Sequence, residues 1–253
     1  EELLHLLEKY KGRSGIVYCM TRKTVEEVCA FLQSSGYAAT RYHAGLSEEE
    51  RRRNQDDFLY DRKTIMVATN AFGMGIDKSN VSFVIHYNMP KDLESYYQEA
   101  GRAGRDGAAA DCVLLFSPSD IYTLRSLITR PNTDPSIPPE VQGALIDRNL
   151  RRLNDMYDYG SSTDCLRSRI LRYFGEAGME DCGNCSHCLT ASTPIDATVD
   201  AQKFLSCVVR MQSRYTAVTV IAVLTGSQTK KIKDAGLDSL RTYGIMKECD
   251  RGY

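Results

Sequence analysis

The chain is expected to be α/β: a parallel sheet sandwiched by helices, followed by a helical module and then a third, shorter segment. Three observations carry this. Strand-like and helix-like stretches alternate over residues 1–130. A proline-rich break then gives way to helical periodicity. Four cysteines fall at Cys165, Cys182, Cys185 and Cys188, a C-x16-C-x2-C-x2-C pattern that suits a closed tetrahedral metal site.

The strand-like runs are Ile16–Cys19, Ile65–Ala68, Phe83–His86 and Cys112–Phe116. They are nearly continuous in apolar character, as expected of strands buried on both faces. The opening, from Glu1 to Leu7, starts as an amphipathic helix. Between the first two strands lie two helical stretches, Thr24–Ser35 and Ser47–Leu59. The first places Val25, Val28, Cys29 and Leu32 on one stripe, with Thr24 and Glu27 read as a capping box and Gly36 as its stop. The second opens on Ser47 with Glu50, and its Glu/Arg/Asn-rich body belongs on a surface. Tyr42 to Leu46 leaves a further strand end, and Leu93–Glu99 reads as a helix.

Residues 131–138 hold three prolines and form a linker that cannot be helical. From Pro139 a helix places Ile146, Leu150, Leu153 and Tyr157 on one face and stops at Gly160. A second begins near Asp164 and ends at Gly175, and a polar loop carries the last three cysteines. Ser192-Thr193-Pro194 marks another boundary. Beyond it come a helical start (201–211), an apolar run (218–224) and a basic stretch at Lys230, Lys231 and Lys233. The expected domains are therefore 1–130, 131–194 and 195–253.

Bulk properties narrow the class. The 253 residues are 42% hydrophobic and 26% charged, ordinary for a globular protein. No apolar run approaches a membrane span and no signal peptide is visible, which predicts no membrane partner. A net charge of −1 leaves no global basic footprint, so nucleic-acid contact would have to come from local patches. Nine cysteines without a secretory context argue against a disulfide framework; Cys19, Cys29, Cys112, Cys207 and Cys249 read as buried thiols.

Two stretches carry candidate chemistry. Gln98 to Gly107, Q-E-A-G-R-A-G-R-D-G, puts Arg102 and Arg105 on a glycine-rich turn, where two guanidiniums can brace a polyphosphate. The alternative is a surface turn whose arginines pair with nearby acids. Val67 to Asp77, V-A-T-N-A-F-G-M-G-I-D, leaves the carboxyl end of a buried strand, where open α/β sheets gather ligands. There Thr69 offers a hydroxyl and an N–H, Gly73 and Gly75 allow close approach, and Asp77 can accept from a ribose hydroxyl. Tyr42, Tyr96 and Tyr97 can stack on bases or pack against the sheet domain. At the cysteines His187 is a competing ligand, and iron–sulfur ligation also uses four thiolates. Arg148, Arg151, Arg152, Arg167, Arg169 and Arg172 form a local basic surface, either acid-paired or free for phosphate.

Val17–Arg22, His43–Leu46, Ala68–Asp77 and Tyr96–Gly107 resemble helicase motifs IV, IVa, V and VI. They are similar to the second RecA-like lobe of superfamily 2 helicases in the RecQ version, and the cysteine spacing resembles that of bacterial-type RecQ proteins. The resemblance covers nearly the whole chain, with 195–253 similar to the start of a winged-helix domain. It implies an ATP-dependent 3′–5′ DNA helicase of repair and recombination, with Arg105 as arginine finger and Arg102 beside it on the γ-phosphate side. Gln98, Gly75 and Asp77 would serve the nucleotide. Thr69, Arg22 and His43 would lie along the single-strand track, and Cys165, Cys182, Cys185 and Cys188 would hold a structural Zn2+. No G-x-x-x-x-G-K-[ST] loop and no Walker B box occurs in the chain. ATP and Mg2+ would be shared with a first lobe, and the chain alone would be inactive as an ATPase. The implied partners are DNA at single-strand/duplex junctions and repair factors such as a single-stranded-DNA-binding protein. The implied setting is the bacterial cytoplasm, at the nucleoid. A DEAD-box RNA helicase is a weaker resemblance, because Gln98-Glu99 replaces that family's His-Arg and the zinc module is foreign to it. A non-catalytic zinc-stabilised DNA-binding protein is the remaining reading.

Overall fold

A computed structural model describes residues 2–73, 78–130, 138–190 and 196–248. These fall into two compact units, residues 1–190 and 191–253. The first is built on a five-stranded, all-parallel sheet. Its strands are β1 (Ser14–Tyr18), β2 (Ala39–Tyr42), β3 (Ile65–Ala68), β4 (Val81–His86) and β5 (Asp111–Leu114), in the order β2-β3-β1-β4-β5. The expected parallel α/β sheet is thus present.

Its central strands alternate between two cores because successive side chains point to opposite faces. On one face Val17, Val67, Phe83 and Ile85 pack against helix α1 (Glu2–Glu8) and helix α2 (Arg22–Ser34). On the other Ile16, Met66, Ala68 and Val84 pack against Phe58 of helix α3 (Glu48–Leu59) and against Phe72. Gly15 lets strands β1 and β4 close up: a Cβ there would overlap the Phe83 ring.

Several local expectations need correction. The cap of α2 is Thr21, whose side chain accepts from the Thr24 N–H, so the helix starts at Arg22 and not at Thr24. Ser47 caps α3 as expected, accepting from Glu50 N–H at 3.1 Å. Strand β2 was legible only by its end. Helix α4 spans Leu93–Ala100 and is capped by Asp92. Residues 101–107 are turns, so helical spacing does not align Arg102 with Arg105.

Helix α5 (Asp120–Ile128), which had no sequence counterpart, leads toward helix α6 (Pro139–Ser161). Gly160 lies inside the last turn of α6, where its missing Cβ admits the Phe116 ring. Leu153, Met156 and Tyr159 of α6 are buried with Leu93, Tyr96 and Leu124 in a third core joining the sheet domain to the helical module. Helix α7 (Leu166–Tyr173) and the single turn α8 (Ser186–Leu189) complete this unit.

The second unit is helical among its described residues: α9 (Thr198–Arg210), α10 (Ala217–Leu224), α11 (Lys230–Asp234) and a short 3₁₀ turn. Cys207, Met211, Val220, Val223, Leu224 and Ile232 form its core. No strand occurs among the described residues of this unit, so of the expected winged helix only helices are present.

Candidate nucleotide and metal sites

The arginine turn begins where α4 ends at Gly101. Gly104, at φ 69°, folds the chain back so that its N–H donates to Val81 O of β4 at 2.9 Å. A side chain would be strained at that φ. This bond pins the turn to the sheet. Arg102 Nη1 donates to Gly73 O at 2.8 Å, and the guanidinium lies against Gly73, at φ 148°, where any Cβ would overlap it. One residue earlier, the buried Tyr18 hydroxyl donates to Phe72 O at 3.1 Å. Burial pushes the Tyr18 hydroxyl up from its ordinary pKa, with Arg102 beside it pulling the other way. Two successive carbonyls of the 69–73 segment are therefore held from two elements.

Arg105 is exposed, and its one hydrogen bond among the described residues is a long 3.5 Å contact from Nε to Gly101 O. Both arginines border a small depression floored by Ile16, Phe58 and Val81 and flanked by Lys78. Neither has an acidic partner among the described residues. Arg102 Nε is buried without an acceptor among the described residues. Gln98 is exposed, while Gly75 and Asp77 lie outside the described residues.

The other sequence-flagged residues gather at the carboxyl ends of β1, β2 and β3. Thr69 is nearly buried; its N–H donates to Tyr42 O at 3.2 Å and its hydroxyl accepts from Ala71 N–H at 3.4 Å. Arg22 is exposed and its guanidinium stands over Gly45. His43 is buried, with Nδ1 accepting from Gly45 N–H at 3.1 Å. That acceptor role puts the proton on Nε2, which donates to Glu26 at 2.7 Å. Both ring nitrogens are occupied, so the imidazole shapes the 43–45 turn from within. Of the three tyrosines, Tyr96 is buried and Tyr42 packs edge-on against Phe72; only Tyr97 is open to solvent.

Tyr18 is the residue that sequence reasoning passed over. The available signal was a phenol inside a buried apolar strand, since a buried hydroxyl requires an acceptor.

The four cysteines form one cluster, with all four Sγ atoms within 4.8 Å of one another. Cys182 and Cys188 Sγ are 3.9 Å apart, and Cys185 and Cys188 Sγ 3.3 Å. A tetrahedron of thiolates around one ion at about 2.3 Å has edges of roughly 3.8 Å, so the cluster is sized for a single ion. Cys165 caps α7, and its Sγ faces Ser168 N–H at 3.5 Å. Cys185 N–H points at Cys182 Sγ at 3.3 Å. His187 Nδ1–H donates to Asp164 O at 2.8 Å, and the ring stands outside the cluster. The Cys188 thiol pKa is pushed up, first by its hydrogen bond to Asp181, whereas that of Cys185, against its own burial, is drawn down to about 6 by hydrogen bonds from its neighbours. Four soft donors around a point too small for a multi-iron cluster fit a structural zinc.

The basic surface divides. Arg152 pairs with Glu94 of α4 at 2.7 Å and Arg169 with Asp164 at 3.2 Å. Arg148, Arg151, Arg167 and Arg172 are exposed and have no ion pair among the described residues.

An arginine pair on a glycine-rich turn of a parallel α/β domain, joined through a shared core to a four-cysteine module, is the arrangement of a helicase C-terminal domain followed by a zinc-binding domain. Residues 1–107 match the helicase conserved C-terminal domain, 118–189 the RecQ zinc-binding domain and 192–253 the RQC domain. The chain belongs to the RecQ family. It is 46% identical over 241 residues to the ATP-dependent DNA helicase RecQ of Bacillus subtilis, covering 95% of this chain and 39% of that protein. It is 40% identical to the ATP-dependent DNA helicase RecQ of Pasteurella multocida, covering 98% and 38%. The chain thus spans about two fifths of the length of these relatives. Among solved structures, the C-terminal domain of the DEAD-box protein Dbp5 is similar at 25% identity and a TM-score of 0.41, over 52% of this chain and 79% of that one.

Proposed function

We propose that this chain forms the second motor lobe (1–130), the zinc-binding domain (131–194) and the start of the winged helix (195–253) of an ATP-dependent 3′–5′ DNA helicase acting in repair and recombination. The observation that carries this is the arginine turn: two guanidiniums with no acidic partner among the described residues, on a turn fixed to the sheet by Gly104 and bordering one depression. Unpaired guanidiniums at a surface are suited to a polyphosphate. ATP and Mg2+ would be gripped by a first lobe carrying the phosphate loop that this sequence lacks. Across the cleft Arg105 would reach the γ-phosphate, with Arg102 behind it. Gln98, Gly75 and Asp77 would line the nucleotide side.

The single strand would run over the carboxyl ends of β1, β2 and β3. Arg22 and the Thr69 hydroxyl would meet its phosphates, and His43 would act through the turn it fixes. The zinc ties α7 to a loop with too little apolar surface to fold alone. Arg148, Arg151, Arg167 and Arg172 would meet duplex phosphates near a single-strand/duplex junction, making binding salt-sensitive. The setting would be the bacterial cytoplasm, at the nucleoid, with a single-stranded-DNA-binding protein among the partners. The names of the relatives support this reading, and the paired Gln98-Glu99 with the zinc module favours it over an RNA helicase. The test is ATP-dependent unwinding of a 3′-tailed duplex by the protein that carries this chain. No unwinding of 3′-tailed substrates, or equal unwinding without ATP, would refute it.

A further inference from the structure

Several large aromatic side chains are solvent-exposed, and single exposed rings call for no explanation. Among the described residues only two of them touch each other. Tyr97 of α4, 55% exposed, packs on Phe174 at the end of α7, 44% exposed, with ring centroids 5.1 Å apart and planes at 51°. The pair bridges the sheet domain and the zinc module and is held rigid from behind. Tyr173 meets Phe174 edge-on at 5.3 Å and 90°. Burial and a hydrogen bond to Glu94 push the Tyr173 hydroxyl up to about 12, so it stays a neutral donor. Glu94 also holds Arg152 at 2.7 Å, which ties α4 to α6. Open π faces on a braced frame are what a nucleobase stacks on, with no dependence on its identity. Positive charge lies alongside: Arg167, exposed and in no ion pair among the described residues, is seven residues before Phe174, hence on the same side of α7 and about 10 Å along it.

We propose that Tyr97 and Phe174 form a stacking ledge for an unpaired base of the DNA strand, with Arg167 engaging a phosphate beside it. The proposal rests on the single-strand-tracking reading above and adds a contact outside the motif residues. It is tested on the full chain by measuring affinity for a short oligothymidylate and for the same strand built of abasic units, across a salt series. Tyr97→Leu and Phe174→Ala are expected to lose about tenfold or more in affinity for the base-bearing strand. They should leave the abasic strand, the salt slope and the melting temperature unchanged. Tyr97→Phe, which keeps the ring, should bind like the unsubstituted chain. Arg167→Gln should lower the salt slope by about one on both strands. Unchanged affinity in Tyr97→Leu and Phe174→Ala, or an equal loss on the abasic strand, overturns the ledge while leaving the helicase reading intact. If the unsubstituted chain binds no single strand at all, both fall.

Discussion

Arg102 and Gly73, twenty-nine residues apart, are locked together: the guanidinium donates to the Gly73 carbonyl at 2.8 Å and fills the space a Cβ would need. Arg105, three residues on, is exposed and makes only a long 3.5 Å contact to Gly101 O among the described residues. The two arginines therefore differ in kind, one bonded across to the 69–73 segment and one exposed beside the same depression.

The first expected outcome concerns that contact. Gly73→Ala puts a methyl group into the guanidinium and takes an L-residue to φ 148°. Strain of this sort costs of order 1–3 kcal/mol. Arg102 must then leave the carbonyl. We expect a modest fall in melting temperature, with hydrolysis by the ATP-binding protein impaired as severely as in Arg102→Ala. Full hydrolysis in Gly73→Ala would mean that the contact is incidental.

Zinc is expected at one per chain, by elemental analysis. Cys185→Ser should lower that content and unfold the 162–190 region first, as read by hydrogen exchange, while the sheet retains its protection. Because ligand thiolates must lose their protons, metal release should become easier as pH falls. Undiminished zinc in Cys185→Ser would exclude the four-cysteine set.

A third expectation follows from Asp61 and Lys78. Lys78 is buried under the Phe58 ring and reaches Asp61 at 2.8 Å. Hydrogen bonds from Lys78, then Ser14, hold the Asp61 carboxyl below its usual range. A depressed carboxylate contributes stability above the unfolded-state pKa of about 3.9 and loses it as pH falls through the lower folded value. Asp61→Asn should therefore be less stable at neutral pH, by about 1–3 kcal/mol for a buried donor left poorly paired. The gap to the unsubstituted chain should close only below about pH 4. Chemical denaturation across pH measures this; a gap constant down to pH 2 would contradict it.

How much could be read beforehand followed from where each signal lives. The central strands were legible because both faces are buried, which leaves an apolar run. Strand β2, an edge strand with Thr40 and Arg41 at its centre, carries no such run, and only its end was seen. Ser47 was read correctly as a cap, whereas Thr24 was misread because Thr21 sits one turn earlier with the same chemistry. The cysteines were identified by spacing, yet only geometry could turn His187 toward Asp164 and out of the ligand set. Contacts between distant segments, Arg102 with Gly73 and Tyr97 with Phe174, leave no local pattern in a sequence.

The role of Arg105 is tested most directly by steady-state ATP hydrolysis, with single-stranded DNA present, by the protein in which this chain is joined to a phosphate-loop lobe. An arginine supplied across a cleft is worth on the order of 10³–10⁵ in rate once a nucleotide is held. Arg105→Ala is expected to lose hydrolysis by about that factor while ATP still binds. Hydrolysis at the unsubstituted rate in Arg105→Ala would contradict the assignment of this turn to the motor.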